Sequence, residues 1–331
     1  MERLAYIDSL KGIGIILVVI GHFFIPFTDY LNDPVNQVVY SFHMPLFFFL
    51  SGLVYGHMPK DSLKIFLVKK TLSLIFPYLF FSLLYCFIKN CSWTSLLLDN
   101  ELHCGYWFTM TLFFVMLLNH IIDGLVKTQN AYTRGIVQFV LTIVLLLVAK
   151  FEVVPVAFSA IFSFDKIAKY YIYFQLGKFI MQSVWIKSVI ENDITITVLM
   201  LIYLYVFCRY GYTLDSVNIF SFILSICGVC VVYNIVLKNQ KLFYTNGFLP
   251  FLGRKSLEIY LTHFLLLHVI PHEIVSGFGV IYIQIIILLL LSMSIIVISL
   301  VVSYIISCSS LLSLILYGKG KYAKQIKGFI K

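Results

Sequence analysis

Lys11 and His22 stand eleven residues apart in the apolar run that opens the chain. Eleven steps of about 100° return a helix to within about 20° of its starting direction, so in one helix the two side chains share a face, about 16 Å apart along the axis. An ionisable group in hydrocarbon is costly and needs a partner, a wet cavity or a task. Asp8, Ile15 and Val18 fall on or near the same stripe, while Gly14 and Gly21 lie to one side, where a second helix can approach closely. This first helix is therefore expected at the centre of a bundle. The rise from Lys11 to His22 is close to the reach of an extended pantetheine arm. A coenzyme A held by its phosphates at Lys11 would bring a thioester to His22, and neutral imidazole suits a general base near working pH. The alternative is a lysine that snorkels to the membrane rim above a histidine hydrogen-bonded to a neighbouring helix.

A second run, Ser41-Phe42-His43-Met44-Pro45 to Ser51-Gly52, carries a histidine beside an internal proline. Pro45 frees a carbonyl and bends the helix, which membrane proteins tolerate where backbone lines a cavity. His43 should then point inward near the outer end of its span, where it could meet His22 and orient it or replace it as base. Trp107 begins another run, in the position of an interfacial aromatic. With His43 and Ser51 it is also a candidate donor to an oxyanion. Glu258 and His263 are five residues apart, about 140° round a helix, so they are not a local acid–base pair. Glu258 lies near a basic loop, within reach of water or Lys255. Tyr170, Tyr171, Tyr173 and Gln175 make one further run polar, as interhelical hydrogen bonding or a cavity wall would require.

The elements that must position these groups are set by composition. The 331 residues are 61% hydrophobic and 12% charged, with a mean hydropathy of +0.97, so lipid is their solvent. The reading is an all-α integral membrane protein, a polytopic bundle of about ten transmembrane helices. Spans are placed at Leu10–Phe27, Val38–Tyr55, Leu72–Ile88, Tyr106–Ile122, Gly135–Ala149, Ile167–Met181, Ile194–Cys208, Asn218–Leu237, Leu257–Ile270 and Gly279–Ile306. They form a single membrane-embedded domain over residues 1–331, ending in a basic tail, 318–331. No soluble linker and no internal repeat interrupts it.

The net charge of +9 is scattered among loops rather than gathered on a face, which argues against nucleic acid and for a topology signal. Lysine and arginine collect in alternate connections: Lys60, Lys64, Lys69 and Lys70, then Lys127 and Arg134, Lys178 and Lys187, and Lys238, Lys241, Arg254 and Lys255. The intervening ones hold only Lys89, then Lys150, Lys166 and Lys169, then Arg209. Both termini are therefore expected in the cytoplasm. Cys86, Cys208, Cys227, Cys230 and Cys308 lie in or beside apolar runs and are expected as packed thiols, and no metal is expected. Cys91 and Cys104 share an external loop where oxidation to a disulfide is open to them.

The stretch Tyr6 to His22, Tyr-Ile-Asp-Ser-Leu-Lys-Gly-Ile-Gly-Ile-Ile-Leu-Val-Val-Ile-Gly-His, resembles the opening of the membrane acyltransferase-3 family, particularly its fucose 4-O-acetylase-like branch. Phe42 to Gly52, Lys69-Lys70 leading to Pro77-Tyr78, Trp107-Phe108, Phe174 to Gly177, and Phe251 to Leu257 followed by His263 agree with it in order along almost the whole chain. The resemblance implies an enzyme of the inner cell membrane. It would move an acyl group, usually acetyl from cytoplasmic acetyl-CoA, to a hydroxyl of a cell-surface glycan or its lipid-linked precursor. The family signature is a basic residue, ten positions and a catalytic histidine. Lys11 and His22 match it, with lysine, a point charge, where arginine's two-pronged fork is commoner. The same likeness gives Lys69 and Lys70 a part in donor binding, and Asp8, Ser51, Trp107 and His263 supporting parts. His22 would act as base or carry the acetyl group as an acyl-imidazole. A multi-helix transporter or flippase for a glycan or small polar solute is the competing reading. Against it, the central membrane positions lack the Asp or Glu expected for ion coupling, and no duplicated halves are visible.

Overall fold

The computed structural model describes residues 4–24, 34–58, 61–90, 105–213, 218–239, 243, 247–267 and 281–329, and every regular element among them is helical. In lipid a backbone can satisfy its own N–H and C=O groups only by helix or closed barrel, and the long apolar runs take the first course. The elements are α1 (Ala5–Phe24), α2 (Pro34–His57), α3 (Leu63–Lys70), α4 (Phe76–Lys89), α5 (Trp107–Leu125), α6 (Ala131–Lys150), α7 (Val156–Phe162) and α8 (Phe164–Gln182). They continue as α9 (Val184–Ile190), α10 (Asp193–Tyr210), α11 (Ile219–Lys238), α12 (Phe248–Arg254), α13 (Ser256–Leu267), α14 (Ile281–Ser307), α15 (Ser310–Tyr317) and α16 (Gly320–Phe329).

Among the described residues eight stretches are long and apolar enough to cross a membrane: Ala5–His22, Pro34–His57, Leu63–Lys89, Trp107–Leu125, Tyr132–Lys150, Asp193–Tyr210, Ile219–Lys238 and Ile286–Ser307. Each coincides with an expected span. The other two expected spans are present as helices that fall short on one count each. The α8 helix has the length but contains Asp165, Lys166, Lys169 and Lys178, and α13 is apolar but only 12 residues long within the described chain. Lys178, read above as a loop charge, is inside α8 and 3% exposed. Cys91 and Cys104 lie outside the described residues.

The described chain divides into two units, the first of Met1–His57 and Leu176–Ser303, the second of Met58–Gln175 and Tyr304–Lys331. In the first, α1 is the spine. A side chain at Gly12 would meet the backbone oxygen of Leu249 at 2.2 Å, and one at Gly253 would meet that of Asp8 at 1.7 Å, so α1 and α12 run antiparallel with their backbones in contact. Gly14 faces the ring of Phe47, and Gly21 faces Val39 and Tyr40, which sets α2 antiparallel to α1 on its glycine side. Asp8, Ile15 and Val18 are all buried, as expected for the stripe that carries Lys11 and His22.

In the second unit, Leu63–Lys89 is one continuous apolar rod whose middle turn, Thr71–Ile75, is widened to a π-helical turn. Pro77 is the second residue after it. It has no N–H to return to the preceding turn, and a π turn is a common way for a helix to absorb that loss. Gly318, with φ +60°, closes against the carbonyl of Leu72, where a Cβ would sit 1.9 Å from the oxygen.

Candidate functional site

Lys11 and His22 enter the site from α1, both half-buried. Because α2 runs antiparallel, its early residues lie beside the end of α1 that bears His22. Because α12 reverses the chain at Asp8, α13 then climbs back along α1 and brings its last turn to the same end. The outcome is a set of imidazoles contributed by three helices.

His22 meets His263, with ring centroids 5.4 Å apart and an interplanar angle of 44°, and Phe264 packs edge-on to His22 at 5.8 Å. His263 is 1% exposed. Its Nδ1 lies 2.7 Å from the carbonyl oxygen of Tyr260 and 3.1 Å from that of Ile259. His43 is held likewise, with Nδ1 at 2.7 Å from the carbonyl oxygen of Val39 and its ring edge-on to Tyr40 at 4.8 Å. A carbonyl only accepts, so in both rings Nδ1 donates and the lone pair is left at Nε2. His22 lies within electrostatic range of both. The rings that pack on His22 include His263 and Phe264, and the ring of His43 packs on Tyr40. Among the described residues no group of three or more His, Cys, Asp or Glu is placed to hold a metal ion.

Toward the other end of α1 the first unit is charged. Asp8 is buried beside Gly253. Glu258 is 2% exposed and pairs with Lys255, whose ammonium lies 3.6 Å from its carboxylate and also donates to Ser303 at 3.4 Å. Of the two courses open to Glu258, the ion pair is the one taken. Lys178, on α8, lies over the ring of Tyr55 at 5.8 Å. Ser51 is eight residues beyond His43 on α2, about 12 Å farther along the axis.

Lys69, Lys70 and Trp107 belong to the second unit. The ammonium of Lys69 bridges both carboxylate oxygens of Asp61, at 2.8 and 2.9 Å. Trp107 stacks on Tyr170 at 5.3 Å with the ammonium of Lys166 over its indole at 5.5 Å, a cation–π arrangement rather than a bare interfacial ring. The polarity of the Tyr170–Gln175 run is resolved here as interhelical hydrogen bonding. Gln138 on α6 donates to Asp123 on α5 at 3.0 Å and accepts from Tyr171 at 2.6 Å and from Gln175 at 2.9 Å, and Gln175 also donates to Asn119 at 2.9 Å. All five side chains are buried. The span expected to end at Ile122 runs on to Leu125, so Asp123, 3% exposed, falls within the last turn of α5. The signal was there: an Asp four residues after Asn119, on one helix face.

Compared with known families, residues 4–308 match the acyltransferase-3 family model, described as an acyltransferase domain. No curated protein and no solved structure matches the chain.

Proposed function

The chain belongs to the acyltransferase-3 family, and from that premise we propose that it moves an acetyl group from acetyl-CoA to a hydroxyl of a cell-surface glycan or its lipid-linked precursor. Its family and its apolar helices make it a membrane-embedded acyltransferase. The observation that carries the finer reading is the contact of His22 with His263 at one end of α1, with Lys11 about 16 Å down the same helix face.

In this reading the phosphates of coenzyme A sit at Lys11 and the thioester reaches His22. The lone pair of His22 takes the proton of the acceptor hydroxyl as its oxygen attacks the thioester carbon. The tetrahedral oxyanion then collapses, expels the coenzyme A thiolate and leaves an acetate ester, and the proton on His22 passes to the thiolate. The variant in which His22 itself is acetylated first would leave radiolabel on the protein when acetyl-CoA is supplied without acceptor. Lys69 and Lys70 keep their proposed part in donor binding, a phosphate there displacing Asp61 from Lys69. The protein spans the cell membrane with both termini in the cytoplasm, the side from which acetyl-CoA arrives. Mass spectrometry of the host's surface polysaccharide tests the reading. Ester-linked acetate should be present with the gene and absent when it is deleted or carries His22→Ala, and equal acetate in all three strains would contradict it.

A further inference from the structure

His263 lies in an apolar helix, 1% exposed, with its Nδ1 proton committed to two carbonyls of its own helix. The lone pair of the neutral ring is therefore at Nε2, and that atom is buried without a hydrogen-bond partner. Buried acceptors are almost always satisfied, so one left open beside a reactive group calls for a donor. The ring of His22 stands next to it at 5.4 Å between centroids. Two ring radii and a hydrogen bond of about 3 Å add up to about the same separation.

Resting on the acyl-transfer reading, we infer that His263 is the positioning residue of His22, its Nε2 accepting an N–H from the facing edge of His22. That hydrogen bond leaves the other nitrogen of His22 with the lone pair that takes the hydroxyl proton. When His22 gains the proton, the new positive charge is delocalised toward His263 through the same bond. No bond to carbon forms or breaks at His263, and its own proton stays on Nδ1, donated to the carbonyls of Tyr260 and Ile259. A carboxylate in this position would orient His22 equally well but would bury a permanent charge in hydrocarbon, which imidazole avoids. His43 is tied to Val39 in the same tautomer, but its ring contact is with Tyr40, so the dyad is formed with His263.

The test uses full-length protein in lipid vesicles, with acetyl-CoA and glycan acceptor. A glutamine side chain can place its oxygen near Nε2 of the histidine it replaces, whereas asparagine reaches only Nδ1. His263→Asn should lower kcat about 100-fold with KM for both substrates nearly unchanged, and His263→Gln should recover most of the loss. His22→Ala combined with His263→Asn should be no worse than His22→Ala alone, because the two act as a unit. Equal kcat in His263→Asn and the unsubstituted protein, or equal losses in the Asn and Gln variants, would overturn the dyad. Both variants must elute and melt like the parent, so that a folding defect is told apart. An inactive parent protein would sink the acyl-transfer reading and the dyad with it, whereas an active parent with an unimpaired His263→Asn sinks the dyad alone.

Discussion

At the scale of single residues, the two ends of one helix face have different jobs and should fail differently. In the proposed reading Lys11 would supply charge for a phosphate, a charge-assisted contact worth about 1.5–3 kcal/mol, so Lys11→Gln should raise KM for acetyl-CoA about ten-fold or more and spare kcat. Lys11→Arg should keep the affinity. His22→Gln should instead lower kcat by about 10² to 10⁴, the ordinary contribution of a general base. Steady-state kinetics of CoA release separates these outcomes, and an unchanged KM in Lys11→Gln would remove the lysine from the donor site. The pairing of Lys11 and His22 was legible because helical periodicity alone puts them on one face. The partner of His22 was not legible: a lone His263 in an apolar run says that something must meet it, but not which helix brings that partner.

At the scale of helices, packing is governed by where backbones touch. Gly253→Ala would drive a methyl carbon to 1.7 Å from the oxygen of Asp8, so α12 must part from α1. Overpacking of this kind costs about 1–3 kcal/mol or more. A Cβ at Gly135, within α6, meets nothing within 4 Å, and alanine there should be neutral or stabilising through helix propensity. Thermal unfolding of the two variants in detergent should therefore diverge, and equal midpoints would mean that the α1–α12 contact is not needed. In the second unit, Gln138→Leu withdraws a donor from Asp123 and an acceptor from Tyr171 and Gln175, and should lower stability by about 1–3 kcal/mol. The glycines of α1 announced close packing from the sequence. The Asp123–Gln138 link did not, because it joins residues of two helices across an apolar interface that no periodicity describes.

At the scale of the molecule, the sequence carried the helical class and the order of the spans, since apolar length and lipid leave a chain few choices. It did not show that the contacts divide into two units, because that partition depends on pairings between distant segments such as α1 with α12. Nor did it show that Lys178, counted among loop charges, is buried within α8. The proposed topology predicts that a fluorescent protein fused after residue 331 glows and that alkaline phosphatase fused there is inactive. The reverse result would put the C-terminus outside and invert the donor side. Whether His22 carries out acetyl transfer from coenzyme A is decided by purified protein in sealed vesicles given radiolabelled acetyl-CoA and acceptor glycan. Label should enter the glycan with stoichiometric release of CoA thiol, both falling about 100-fold or more in a well-folded His22→Ala variant; undiminished transfer in that variant would remove His22 from the reaction.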